Sequence, residues 1–193
     1  MNKSFIPKQH IILASKSPRR QQLLKELGWE FTILTKDIDE SFPDDLKREH
    51  VALYLCEHKA KAFNDVLSDD TIVITADTIV CLDDLIINKP EDANDAHRML
   101  RLLSGRQHDV YTGVCISSPD KTKSFFVKSS VFFKELSNEE IDYYITVYRP
   151  FDKAGAYGIQ EWIGFIGIEK IEGSYFNVMG LPVKEVYEAV LSF

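Results

Sequence analysis

Four short stretches place ionisable or amide side chains where the surrounding pattern asks for something else. In SKSPRR (15–20), Arg19 and Arg20 fall at the second and third positions of a predicted helix. Cations there face the positive end of the helix dipole, a mismatch of some tenths of a kcal/mol, but the same exposed N–H groups make an anion site. A phosphate would turn the mismatch into a cage of two guanidinium groups, backbone donors and the hydroxyls of Ser15 and Ser17. The competing reading is a solvated basic patch.

Lys59 interrupts the apolar stripe Ala52, Leu55, Cys56, Phe63, Val66, four residues after Leu55 and four before Phe63. Its ammonium either snorkels past the stripe or aims into a cleft. Asp77 lies inside TIVITADTIV, where a carboxylate is costly unless paired or bound to a metal. Ligands of α/β sheets bind beyond strand ends, so Asp77-Thr78 is where such a strand would meet a cleft, and a paired structural aspartate is the rival. The fourth stretch is DKAGAYGIQ (152–160), in which Gly155 and Gly158 admit close backbone approach and Gln160 offers both a donor and an acceptor. An amide of that kind can read the edge of a base; an ordinary turn is the bland alternative.

Taken together, Arg19, Arg20, Lys59 and Lys89 are suited to a polyphosphate. Glu40 and Asp77 are suited to a divalent cation, since hard Mg²⁺ or Mn²⁺ prefers oxygen ligands and shares them with phosphate. Neither G-x-x-x-x-G-K-[ST] nor G-x-G-x-x-G occurs.

The elements that must position these groups follow from periodicity. HIILAS (10–15) is a predicted strand, and SPRRQQLLKELG a helix capped by Ser17, started by Pro18 and closed by Gly28. WEFTIL (29–34) is a second strand. After the acidic loop DIDESFPDD, Asp44 or Asp45 caps a long helix to about residue 67. TIVITADTIVCL (71–82) is β-branched throughout, as in a strand buried on both faces. A turn at Asp83-Asp84 sends it back as LIINK, which sets residue 78 opposite about 89 and Lys89 beside Asp77-Thr78. A helix over PEDANDAHRMLRLLSG turns Ala96, Met99, Leu100 and Leu103 inward. Strands over 107–118 and 122–134 flank SPDK; Ser137 and Glu140 form a capping box before a helix ending near Tyr148. WIGFIGIEKIEG has a strand pattern, and LPVKEVYEAVLSF is a final helix. Helices and strands alternate first and hairpins come later, the pattern of an α/β fold with a mixed sheet flanked by helices.

Composition bounds the function. The 193 residues carry 23 Lys+Arg against 30 Asp+Glu, a net charge of -7, which argues against a nucleic-acid polymer as partner. It leaves room for one nucleotide in a local basic pocket. Three scattered cysteines and no secretory h-region fit a cytoplasmic protein, and no apolar run has the length of a membrane span. The five histidines form no zinc pattern.

The order LASKSPRRQQLLKELG, DIDE, EHKAKA, TADTIV with NKP, LSGRQHDVYTGV, DKAGAYGIQ and IEGSYFNVMGLPV resembles the Maf family of nucleoside triphosphate pyrophosphatases, from about residue 11 to 192. The resemblance implies one Maf-like domain over 1–193, with a fold related to the inosine-triphosphate pyrophosphatases and two lobes around a cleft. It also implies a homodimer, a divalent metal, and hydrolysis of a nucleoside triphosphate to the monophosphate and pyrophosphate. The DKAGAYGIQ form resembles the dTTP/UTP branch. By motif, Asp77 is similar to the catalytic base. Arg19, Thr78 and Gln160 match specificity positions, and Ser17, Arg20, Glu40, Lys59 and Lys89 match other polar pocket residues. One departure is EWIGFIG after Gln160, where many members are glycine-rich; Glu161 and Trp162 are expected to reshape the pocket rim. A nucleotide-binding regulator of cell division with little turnover, or the same enzyme acting on modified nucleotides, are the other expectations.

Overall fold

The computed structural model describes residues 5–193, so the first four residues of the expected 1–193 domain lie outside the described residues. Strand β1 (His10–Leu13) runs parallel to both β2 (Phe31–Ile33) and the first half of β3 (Thr71–Leu82). Between β1 and β2 lies α1 (Pro18–Glu26), capped by Ser17 with Pro18 in its first turn. Gly28, one residue past the helix cap, takes φ +72°, a left-handed conformation that glycine reaches without steric cost.

Helix α2 (Glu49–Lys61) is shorter than the apolar stripe suggested. Asp44 and Asp45 do not cap it. They lie in a turn closed by Leu46 N–H donating to Pro43 O at 3.1 Å, and Arg48 at φ +47° breaks the path into the helix. At the other end Phe63 N–H donates to Ala60 O at 2.9 Å, and the chain leaves through a 3₁₀ turn over Asn64–Val66.

β3 is buried along nearly its whole length, as its β-branched composition predicted. Asp83, at φ +55°, turns it into β4 (Leu85–Ile87), antiparallel with Leu82 opposite Leu85 and Val80 opposite Ile87. Continued by two residues, that register sets 78 against 89, although pairing stops at Val80–Ile87. Helix α3 (Ala93–Leu103) begins at Asp92, whose carboxylate accepts from Asp95 N–H at 2.8 Å, and buries Ala96, Met99, Leu100 and Leu103. β5 (Gln107–Ser117) and β6 (Thr122–Phe133) flank a turn in which Ser118 N–H donates to Lys121 O at 2.8 Å. The Ser137/Glu140 capping box is present at the start of α4 (Asn138–Tyr148).

The expected strand over WIGFIG is instead a helix, α5 (Trp162–Gly167); only Ile168–Glu172 continues as a strand, β7. A short apolar run fits either state. Here Gly164 decides: its α-carbon lies against the carbonyl of Ile159, leaving no room for a Cβ, and its N–H donates to Glu161 O at 2.8 Å. α6 (Tyr175–Met179) and α7 (Val183–Leu191) complete the chain.

The sheet has seven strands in the order β2-β1-β3-β5-β6-β7, with β4 on β3. It combines parallel and antiparallel pairs and is accompanied by helices, the mixed α/β fold expected. The chain forms two compact units. The first comprises residues up to Asp77 with Thr112–Val127 and Gly180–Phe193. Its interior holds Ile12, Phe63 and Val73, and Trp29 stacks on Tyr187 with ring centroids 5.6 Å apart. The second comprises Thr78–Tyr111 and Lys128–Met179, around a core that includes Leu100, Leu103, Val131, Ile141, Tyr144 and Ile163. Each such side chain, fully buried, contributes about 1.5–3 kcal/mol. No helix among the described residues is long and apolar enough to cross a membrane.

Candidate active site

The first unit gathers Lys59, Asp77 and Glu40. Lys59 Nζ donates to Asp77 Oδ2 in a short contact and to Glu40 Oε1 at 2.7 Å. The Lys59 and Asp77 side chains are only 14% and 13% exposed, while Glu40 stands at the solvent edge at 47%. Lys59 therefore does not snorkel; its ammonium is held between two carboxylates.

Strand and helix periodicities account for the meeting. Thr75 and Asp77 are two residues apart on β3 and so share a face. Thr75 Oγ1 donates to Cys56 O on α2 at 2.7 Å. Three residues beyond Cys56, one turn of helix brings Lys59 alongside Asp77. The spacing is set from behind by Gly113 on β5, where a Cβ would overlap the carbonyl of Ala52; α2 thus lies directly on the strand backbone. Burial pushes the Cys56 thiol well above its ordinary pKa, so it has no thiolate character to offer as a nucleophile. All three cysteines lie outside disulfides and are buried, as expected of small hydrophobes.

Arg20 enters the cluster differently from what its sequence position implied. Its Nη1 donates to Ala76 O at 2.8 Å and its Nε to Gly180 O at 2.7 Å. Desolvation lowers the guanidinium pKa and Asp77, the next largest influence, raises it; the group stays charged. Part of its donor fork therefore orders the backbone beside Asp77. Arg19 adds a like charge next to Arg20. Ser17 is committed as the α1 cap, with Oγ accepting from Arg20 N–H at 3.5 Å.

Glu40 and Asp77 converge on one cation, and among the described residues no group of three or more His, Cys, Asp or Glu side chains comes together. Two hard oxygen donors suit a divalent ion that takes its other ligands from phosphate and water.

Thr78, Lys89 and Gln160 belong to the second unit. Thr78 is half-buried on β3. Lys89 is exposed and lines an open groove of about 560 Å³ with Asn88, Asp92, Asp95 and Arg98. Gln160 is half-buried, and its amide Oε1 is buried with no hydrogen-bond partner. Its loop is fixed at several points. Gly155, at φ +71°, packs against Val80 and donates to Asn88 O at 3.1 Å. Tyr157 Oη lies 2.8 Å from His108 Nε2, within a cluster completed by Phe133. Burial pushes His108 down to about 4, so the ring is neutral at pH 7.

Sequence reasoning singled out Glu161 in this unit but not its partners. Its carboxylate accepts from Tyr144 Oη in a short contact and lies 3.2 Å from Lys153 Nζ. Trp162, the other residue of the departure, packs edge-on against Tyr143 at 4.8 Å. The signal available was Lys153, a cation in a loop otherwise rich in apolar and glycine residues, which needs a counter-charge if buried.

A family model described as Maf-like protein matches residues 10–193. A protein named dTTP/UTP pyrophosphatase from Phocaeicola vulgatus is 53% identical over 183 residues, covering 94% of this chain and 95% of that protein. One of the same name from Porphyromonas gingivalis is 51% identical, covering 97% and 96%, and one from Parabacteroides distasonis 48%, covering 97% and 98%. Among solved structures, that of the Staphylococcus aureus Ham1 protein aligns with 65% of this chain and 72% of its own, with 17% identity and a TM-score of 0.42, a likeness too weak to bear on the fold.

Proposed function

This chain belongs to the Maf-like family, and from that premise we propose that it hydrolyses dTTP and UTP to the nucleoside monophosphate and pyrophosphate. The observation that carries the reading is the Lys59–Asp77–Glu40 cluster, in a chain similar over nearly its whole length to proteins named dTTP/UTP pyrophosphatase. The chain acts as one pyrophosphatase domain over 1–193, a reading supported by the family match over residues 10–193; it acts in the cytoplasm and as a homodimer.

Water attacks the α-phosphorus. A new P–O bond forms, the bond from the α-phosphorus to its bridging oxygen breaks, and pyrophosphate leaves with the electron pair. Asp77 takes the proton from the water. Lys59 holds that carboxylate in place and, with Arg19 and Lys89, neutralises charge on the phosphoryl oxygens. Arg20 and Ser17 order the backbone and the α1 N-terminus around the site. Glu40 and Asp77 would hold the divalent cation, Mg²⁺ or Mn²⁺, which when bound supplies further charge neutralisation on the phosphates.

Gln160 reads the base, with Arg19 and Thr78 as the other specificity positions. Its unpartnered amide oxygen accepts the N3–H of thymine or uracil, whereas cytosine has an unprotonated N3 and no hydrogen to give. A site that hydrogen-bonds a substrate N–H rejects an analogue lacking it, because the buried acceptor is left unpaired.

The test is a panel of nucleoside triphosphates with Mg²⁺ or Mn²⁺, assayed for pyrophosphate and orthophosphate separately. Pyrophosphate in step with monophosphate from dTTP and UTP is expected. Orthophosphate alone would make the protein a phosphatase, and binding without turnover would make it a nucleotide-dependent regulator.

A further inference from the structure

We infer that Glu161 is a positioning residue that fixes Gln160 for base discrimination, acting through Tyr144 and Lys153. The inference rests on the base-reading role of Gln160 given above.

Gln160 occupies the third position of a turn over Gly158–Glu161, closed by Glu161 N–H donating to Gly158 O at 3.0 Å. Both ends of this turn meet at a single atom. Gly158 N–H donates to Tyr144 Oη at 3.0 Å, and the same hydroxyl donates to Glu161 Oε2. The other carboxylate oxygen lies 3.2 Å from Lys153 Nζ, whose side chain is only 9% exposed. Lys153 also reaches Asp152 at 2.6 Å, so the stretch before the turn is drawn to the same charge.

Glycine at 158 is part of the device. A Cβ there would lie 2.8 Å from the Glu161 carboxylate carbon and 3.1 Å from Gln160 Nε2. The Glu161 side chain thus folds back over Gly158 and leaves little freedom to the Gln160 amide between them. Tyr144 is itself anchored, fully buried in the core of the second unit. Rotation of the amide is therefore restrained from a rigid helix through one hydroxyl and one carboxylate.

The experiment compares the wild-type chain with Glu161→Ala, Glu161→Gln, Tyr144→Phe and the double variant Glu161→Ala/Tyr144→Phe, with Gln160→Ala as reference. Pyrophosphate release gives kcat and KM for dTTP and dCTP, and circular dichroism reports folding. Glu161→Ala is expected to lower the dTTP-over-dCTP preference in kcat/KM about tenfold through KM for dTTP, with kcat changed less than about threefold. Glu161→Gln keeps the shape and one acceptor and gives an intermediate loss. Tyr144→Phe lowers the preference about fivefold, and the double variant loses no more than Glu161→Ala alone, because both substitutions cut one connection. A folded Glu161→Ala protein whose preference stays within about twofold of wild type overturns the inference, as does an equal loss of kcat on both substrates. If Glu161→Ala does not fold, the same ratio in Glu161→Gln and Tyr144→Phe decides. A wild-type or Gln160→Ala result showing no base preference to lose overturns the reading of Gln160 itself, and the inference with it.

Discussion

Replacing Asp77 by asparagine separates two consequences of one charge. The cluster sets two cations, Arg20 and Lys59, against two carboxylates, Glu40 and Asp77. The substitution keeps the shape of the side chain and shifts that balance by one unit toward positive. Turnover falls, because an amide does not take a proton from water; loss of a general base costs about 10³-fold, or ~4 kcal/mol. Binding moves the other way. A unit negative charge about 6 Å from a phosphate, at an effective dielectric constant of about 20, repels it by about 3 kcal/mol, so removal tightens nucleotide binding by up to about a hundredfold. Lys59 retains Glu40 at 2.7 Å and loses its bond to Asp77. Loss of one charge-assisted bond costs about 2 kcal/mol, a fall in Tm of about 4–8 °C for a chain of this size. Pyrophosphate release measures the first effect, isothermal titration with dTTP in EDTA the second, and thermal denaturation the third. Turnover at the wild-type rate refutes Asp77 as the base. Weakened binding with abolished turnover refutes the electrostatic account, because the lost charge would then have been contributing affinity.

Three further outcomes test other parts of the structure. Arg20→Lys replaces a fork that reaches both Ala76 O and Gly180 O by a single point donor, and is expected to lower stability by about 2–3 kcal/mol in urea denaturation. His108 is pushed down to about 4 in the folded state against about 6.5 unfolded. The unfolded chain therefore binds the extra proton between those values, and stability contributed by neutral His108 is full above pH 6.5 and lost as pH falls toward 4. Over that window wild type should lose about 3 kcal/mol more than His108→Phe, read from urea midpoints at pH 7 and 4. Gly113→Ala forces α2 away from β5 and is expected to cost about 1–3 kcal/mol in stability and to lower kcat, because Lys59 moves off Asp77.

Much of the fold was legible because its signals are local. The capping box at Ser137/Glu140, the Asp83-Asp84 turn and the inward face of α3 each depend on neighbours within a few residues. Strand β3 declared itself by composition, and Asp77 by violating that composition. Lys59 stood out for the same reason, but its partners did not, since α2 and β3 come together through Thr75, Cys56 and a glycine on a third strand. The hold of Arg20 on two carbonyls was not legible, because both are remote in sequence. The helix over Trp162–Gly167 was hidden by an apolar run whose outcome depends on a glycine seated against Ile159. Glu161 was visible as a departure, yet the direction of its side chain depends on Tyr144, seventeen residues earlier.

The two carbonyls that Arg20 holds also set an order of events during synthesis. Ala76 precedes the second unit and Gly180 follows it, so the guanidinium, itself 56 residues before Ala76 and 160 before Gly180, bridges two carbonyls on either side of an inserted segment. Chains emerge at about 5–20 residues per second, so Arg20 and Ala76 wait several seconds on the ribosome before Gly180 exists. The inserted unit consists of Thr78–Tyr111 and Lys128–Met179, and all of it is translated before the first unit receives its last strip, α7. The backbone beside the Lys59–Asp77 pair therefore gains the Gly180 contact only after the second unit has been made. A nascent chain stalled before residue 180 would carry Asp77 and Lys59 without the contact to Gly180 that helps hold the Arg20 guanidinium on the backbone beside them.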